Sequence, residues 1–188
     1  MKTIGVLAMQ GAFREHRDML SAIGVRSVLV RREKELDGLS GLILPGGEST
    51  TMGKLLRDFG LMEPLRKRIK EGLPVWGTCA GLILLARRIE GETPYLGLMD
   101  ITAKRNAYGT QLDSFSAEEE VPFLGGRHPL TFIRAPYIEE AGPDVDILLR
   151  LGGHIVAARE KNLLVTSFHP ELTKDTSFHR YFADTMAR

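Results

Sequence analysis

The chain has 188 residues, 43% of them hydrophobic and 26% charged, and 25 Lys and Arg set against 24 Asp and Glu leave a net charge of +1. That balance fits one globular domain over residues 1–188 and excludes a disordered chain, a strongly basic nucleic-acid binder and an acidic tail for basic partners. One cysteine excludes an internal disulfide framework and a four-cysteine zinc site, and no apolar run approaches the roughly 18 residues of a membrane span.

Residues 3–9 form an apolar run expected to be a buried strand. Phe13, Arg17, Leu20 and Ile23 follow at helical spacing, with Gly24 as the stop. Residues 25–30 read as a second strand, the charged stretch 31–37 as a solvated loop, and 41–44 as a third strand cut off by Pro45-Gly46-Gly47. Residues 49–71 carry a helical pattern in which Pro64 opens a second helix. Residues 74–76 predict a fourth strand and 80–89 a helix.

Strands alternating with helices in this way predict an α/β fold: a central, mostly parallel sheet with helices on both faces, three layers of flavodoxin-like kind. Past residue 90 the pattern changes. The stretches 97–103, 119–124, 130–135, 146–151, 154–159 and 163–168 are short strand-like runs between turn residues. We expect them to be antiparallel strands extending the sheet or lying beside it. Residues 175–187 place Phe178, Tyr181, Phe182 and Met186 on one helical face. The opening residues lack the apolar stretch and cleavage site of a signal peptide, so we expect a soluble, cytoplasmic protein.

The cysteine stands in Gly77-Thr78-Cys79-Ala80-Gly81, between a strand and a helix. A lone cysteine is ordinarily a buried, inert residue. Flanked by glycines two positions away on each side, it instead matches a nucleophile elbow with Cys in place of Ser. The turn there is strained and its neighbours must pass close together, which small residues permit. A helix N-terminus favours a thiolate, and the N–H of Ala80 would point to where an oxyanion forms.

A thiolate nucleophile needs a base, and the chain has five histidines. His169 ends an apolar strand, where open parallel sheets place their sites, and Glu171 lies two residues on, across Pro170. In extended backbone, positions two apart face one side, so Glu171 can hold one ring nitrogen of His169 while the other faces Cys79. The competing reading is a His-Pro-Glu turn that only caps a helix. His16 and His179 fall on predicted helices and read as surface or packing residues. His128 and His154 read as turn residues. No histidine spacing fits a metal site.

Pro45-Gly46-Gly47-Glu48-Ser49-Thr50-Thr51 is a third feature, again between strand and helix. Its glycines can offer N–H groups to an anion, and Ser49 would be the N-cap if the segment is a plain turn. It is not a Walker A loop, because Gly47 and Gly53 are one residue too far apart and Leu55 follows Lys54. No G-x-G-x-x-G occurs.

Elbow, His-Pro-Glu and glycine loop together resemble the class I (triad) glutamine amidotransferases. Leu7-Ala8-Met9-Gln10-Gly11, the segment from Pro45 through Met52, Arg105-Asn106-Ala107-Tyr108-Gly109, Phe132-Ile133-Arg134-Ala135-Pro136 and Phe168-His169-Pro170-Glu171-Leu172-Thr173 narrow the likeness. They resemble the glutaminase subunits of pyridoxal 5′-phosphate synthase, the PdxT family, across nearly the whole chain. Trp76-Gly77 before the elbow departs from what members often carry, which should affect packing and not chemistry.

The resemblance implies hydrolysis of L-glutamine to L-glutamate and ammonia, with the ammonia channelled to a synthase partner, PdxS, in a large hetero-oligomer. It implies no cofactor and no metal. It implies Cys79, His169 and Glu171 as the triad, Gly47 and Ala80 as oxyanion donors, and Gly47, Glu48, Ser49, Arg105, Ile133 and Arg134 as glutamine-binding positions. Gln10 and Gly11 would then form a segment reshaped when the synthase docks. The readings that compete are a glutaminase feeding a different synthase, a cysteine-peptidase-like hydrolase, and a catalytically silent regulatory module. Ala80 directly after Cys79, where such peptidases usually carry His, counts against the second.

Overall fold

The computed structural model describes residues 2–105 and 114–187. In chain order the first half runs β1 (Thr3–Leu7), α1 (Phe13–Ala22), β2 (Arg26–Val30), β3 (Gly41–Leu44), α2 (Ser49–Asp58), α3 (Met62–Lys70), β4 (Val75–Thr78) and α4 (Ala80–Leu85). The second half runs β5 (Ala86–Ile89), β6 (Met99–Lys104), β7 (Ser114–Glu120), β8 (Arg127–Ile133), β9 (Tyr137–Ala141), β10 (Asp146–Leu151), β11 (His154–Glu160), β12 (Leu163–Thr166) and α5 (Ser177–Tyr181), continued by a π-helical turn over Phe182–Met186.

The main sheet has the order β2-β1-β3-β4-β12-β11-β9-β6-β5, with β10 paired to β11. From β2 through β12 every neighbour is parallel. The β12–β11, β11–β9, β9–β6 and β10–β11 pairs are antiparallel. Strands β7 and β8 form a separate antiparallel hairpin. The expected mixture is therefore present in both forms: antiparallel strands extend the sheet and a hairpin lies beside it.

The parallel strands are short and apolar because both faces are covered. Their side chains alternate between two clusters. Leu42, Leu44 and Val75 pack with Met52, Leu56, Leu65 and Ile69 of α2 and α3 and with Leu82 of α4. Ile43, Trp76 and Leu164 point the other way, against Leu20 of α1, Phe132 of β8, and Phe178 and Phe182 near the chain's end. Each such side chain, fully withdrawn from water, contributes about 1.5–3 kcal/mol.

Four expectations need correction. The helix expected over 80–89 ends at Leu85, and Ala86–Ile89 is strand β5, paired in parallel with β6. Ala86 and Ile89 are buried and Arg87 and Arg88 between them exposed, a spacing that also suits a helix, and pairing with β6 through a register shift overrides local helix propensity. The strand expected over 119–124 lies earlier, over Ser114–Glu120, and Pro122-Phe123-Leu124 turns the hairpin with Gly125 and Gly126 at positive φ. Strand β9 was not anticipated at all. Finally, the loop expected over 31–37 contains a 3-10 turn, Glu33–Leu36, closed by Glu35 accepting from the backbone of Arg31 and Arg32.

Candidate active site

Four loops at the C-terminal ends of β1, β3, β4 and β12 converge where the strand order reverses, the position at which open parallel sheets build their clefts. The elbow follows β4. Cys79 adopts φ 49° and ψ −101°, a left-handed conformation strained for any residue but glycine. Its neighbours show why glycines flank it. A Cβ on Gly77 would lie 2.5 Å from the carbonyl of Gly81, and one on Gly81 would lie 2.1 Å from the carbonyl oxygen of Leu44. The strand, the turn and the short buried helix α4 thus touch backbone to backbone.

His169 follows β12 and is fixed through its main chain, whose N–H donates to the Thr131 carbonyl of β8 at 2.8 Å. Its Nδ1 lies 2.6 Å from Glu171 Oε1. The backbone route differs from the extended one argued from sequence. Pro170–Leu172 is a 3-10 turn with His169 as its N-cap. His169 makes no side-chain capping bond to this turn, and the turn brings Glu171 back under the imidazole. Burial disfavours the charged imidazole, but hydrogen bonding to Cys79 and Glu171 outweighs it and pushes the His169 pKa up to about 10.

The loop after β3 lies flat against this ring. A Cβ on Gly46 would sit 2.3 Å from His169 Cε1. Gly46 also accepts from the Ala12 N–H at 2.9 Å, and Glu48 N–H donates to Gln10 Oε1 at 2.8 Å. Gly11, at φ 93°, would place a Cβ 1.9 Å from Gly46 O. Gln10 and Gly11 are thus stitched to the glycine loop.

These loops bound a cleft of about 590 Å³. Of the residues expected from sequence, Gln10, Gly47, Glu48, Cys79, Ala80, Arg105, Ile133, Arg134 and His169 line it. Glu171 stands behind His169, with its side chain fully buried. Ser49 does not line the cleft: it is the first residue of α2, and its buried Oγ has no hydrogen-bond partner among the described residues. The N-cap is Glu48, whose carboxylate accepts from Thr50 N–H at 3.3 Å. Of the motif that begins with Arg105, positions 106–109 lie outside the described residues.

The chain matches the model of the SNO glutamine amidotransferase family over residues 6–188. It belongs to that family. Among curated relatives of this amidotransferase, the pyridoxal 5′-phosphate synthase subunit PdxT of Carboxydothermus hydrogenoformans is 54% identical, covering 98% of each chain. The PdxT subunit of Clostridium botulinum is 56% identical, over 98% of this chain and 97% of that one. A solved glutamine amidotransferase superposes with a TM-score of 0.92 at 48% identity, covering 96% of this chain and 97% of that chain. PurLQS of Thermotoga maritima shares the fold, with a TM-score of 0.71 at 16% identity over 97% and 98% of the two chains.

Several features of this amidotransferase were not visible in its sequence. Ile83, Ser114 and Pro136 complete the cleft wall. Arg105 is already engaged: its Nε and Nη2 donate to the Glu92 carboxylate, and Nη1 lies 3.6 Å from Glu48 Oε1. His128 and His154 occupy strands, not turns, and His128 Nδ1 pairs with Asp175 at 2.6 Å. His16 and His179, read as surface or packing residues, are wholly buried. His16 Nε2 lies 3.4 Å from Glu171 Oε2. No local signal in the sequence marks this contact, because only the fold brings α1 against the His-Pro-Glu turn.

Proposed function

We propose that this amidotransferase is the glutaminase subunit of a pyridoxal 5′-phosphate synthase, and that Cys79, His169 and Glu171 carry its chemistry. The observation that carries the reading is that Cys79 and His169 line one cleft, with Glu171 behind His169 and its Oε1 2.6 Å from the imidazole Nδ1. The PdxT names of close, full-length relatives support the choice of synthase.

In this reading the side-chain amide of L-glutamine enters the cleft. Cys79 attacks its carbon as the thiolate, with the proton resting on His169. The N–H groups of Gly47 and Ala80 hold the oxyanion of the tetrahedral intermediate, and loss of one such donor costs about 2.7–4 kcal/mol. His169 gives its proton to the leaving nitrogen, ammonia departs and a thioester forms. Water then attacks the thioester with His169 as base, L-glutamate leaves, and the thiol is restored. Glu171 holds the imidazole tautomer and offsets its positive charge.

Arg134 and Arg105 supply guanidinium groups for the α-carboxylate, and Glu48 meets the α-ammonium. Because Glu92 occupies Arg105, substrate at that guanidinium must share it. The ammonia passes to the synthase subunit, PdxS, within a hetero-oligomer in the cytoplasm. Docking there acts on Gln10 and Gly11, which are tied to the glycine loop where Gln10 Oε1 accepts from Glu48 N–H and the following Ala12 N–H donates to Gly46.

Ammonia release from L-glutamine, measured with and without the synthase, tests this. The expected result is turnover that rises with the synthase and disappears in Cys79→Ala with both subunits still co-purifying. Turnover in Cys79→Ala equal to wild type would remove Cys79 from the mechanism, and equal turnover with and without the synthase would remove the docking effect.

A further inference from the structure

The polar groups beneath the triad form a second chain of contacts. The Glu171 side chain is fully buried, and its two oxygens have separate neighbours. Oε1 meets His169 Nδ1 at 2.6 Å. Oε2 makes no hydrogen bond among the described residues, and His16 Nε2 lies 3.4 Å from it. His16 Nε2 also lies 3.2 Å from Thr78 Oγ1, one residue before the elbow cysteine. The other nitrogen of His16, Nδ1, lies 2.9 Å from His179 Nε2. Trp76 closes this pair from the side, its ring centroid 5.7 Å from that of His16 and 5.0 Å from that of His179, both edge-on.

The proton positions follow from these contacts. Both imidazoles are neutral at neutral pH. Burial, and then the repulsion a protonated His179 or His169 would add, hold the His16 pKa well below its ordinary range, and burial lowers His179 to about 3. A neutral imidazole carries one N–H. If His16 bore it on Nδ1, the lone pair of Nε2 would face the Glu171 carboxylate. If it bears it on Nε2, an N–H faces the carboxylate, and Nδ1 accepts from His179 Nε2–H. The anion selects the second arrangement. It leaves His179 Nδ1 as a bare lone pair, and that atom indeed has no partner among the described residues. A buried acceptor without a partner costs less than a buried N–H without one.

We propose that His16, with its tautomer set by His179, is a positioning residue for the triad: the positive end of its Nε2–H lies beside Oε2 of Glu171 and attracts it, so that Oε1 stays on His169. The inference rests on the triad reading above. It gives His16 and His179 a role through Glu171, not through contact with glutamine.

The chain's one thiol makes Cys79 its own reporter. The complex with the synthase would be assayed for kcat and KM, and the free subunit for the rate of Cys79 alkylation by iodoacetamide, with melting temperature recorded for each variant. His16→Leu is expected to lower kcat about 10- to 100-fold, the scale of a misplaced catalytic group, with KM held within about twofold. Its alkylation rate should fall towards that of His169→Asn. His16→Gln offers an amide N–H to Oε2 and an amide oxygen to His179, and should restore most of kcat and alkylation. Equal impairment in Leu and Gln variants, a wild-type kcat in His16→Leu, or a change confined to KM would each overturn the proposal.

If His16→Leu does not fold, His179→Phe takes its place. It removes the donor that sets the tautomer, and a wild-type kcat there overturns the proposal equally. A His169→Asn protein that alkylates and turns over like wild type would instead bring down the triad reading. Failure of the two readings is therefore distinguishable.

Discussion

At the residue scale the tightest constraint on the site is the absence of side chains. Gly46 faces the imidazole of His169, and a methyl group there would need the space of Cε1, 2.3 Å away. Gly46→Ala must therefore displace either the loop or the ring. Because a misplacement of about 1 Å costs on the order of a hundredfold in rate, we expect that loss in kcat with little change in melting temperature. Ammonia release beside a thermal melt checks it. Gly77 and Gly81 differ, since the atoms they would strike are backbone. Gly81→Ala drives a Cβ into the Leu44 carbonyl, and overpacking of this kind costs about 1–3 kcal/mol or more. Denaturant titration of that variant should show the loss as a lower midpoint. The elbow was legible in the sequence because this steric requirement leaves a mark, two glycines at fixed distance from Cys79. His16 and His179 left no such mark. Each sits at an ordinary helical position, and nothing local tells a buried histidine on α1 or α5 from an exposed one.

At the scale of elements, the hairpin of β7 and β8 does more than decorate the sheet. Phe132 of β8 stacks on Phe115 of β7 with centroids 4.6 Å apart and meets Phe168, just before His169, at 5.6 Å. The neighbouring Thr131 carbonyl anchors the His169 N–H. Phe132→Ala should cost about 3–5 kcal/mol, the usual toll of emptying a buried aromatic site. It should also slow turnover, because the segment bearing His169 loses its backing. Loss of stability with an unchanged kcat would show that the Thr131 anchor suffices alone. The hairpin and β9 were only partly readable beforehand. Residues 114–120 alternate between exposed and half-buried, so their apolar signal is faint. Residues 86–89 fit a helix face as well as a strand, and only the partner strand β6 decides between them. In contrast, β1, β3, β4 and β12 are buried on both faces and announce themselves as continuous apolar runs.

At the scale of the whole molecule, the buried imidazoles tie stability to pH from both sides. His16 and His179 take up protons near 6.5 when unfolded, but His179 does so only at about 3 in the fold, with His16 also far below its ordinary value. The unfolded state therefore binds more protons across that window, and stability should decline as pH falls below about 6.5. His169 acts in the opposite sense. Its folded pKa of about 10 lies above the ordinary 6.5, so its contribution is complete below 6.5 and is lost as pH rises towards 10. His128, raised through its bond to Asp175 despite partial burial, adds in the same direction. Denaturant midpoints at pH 5, 7 and 9 should thus be highest near neutrality, and His179→Phe should flatten the acid limb if the variant stays folded.

The order of strands also carries a consequence for how the chain acquires its shape. Strand β4 ends at residue 78, yet its second neighbour, β12, begins only at residue 163. During synthesis from the N-terminus the centre of the sheet therefore waits, one flank paired with β3 and the other bare, while the intervening residues, nearly half of the polypeptide, are still being made. A bare apolar strand edge is a template for association with other chains. Closing so long a loop is also slow, because entropy is lost before contacts are gained. The strand that leads to Cys79 and the strand that leads to His169 are the two that meet in that late step. The protein can thus bring its thiol and its imidazole together only when the sheet itself is sealed, and chains stalled before residue 163 should be prone to aggregate and inert towards glutamine.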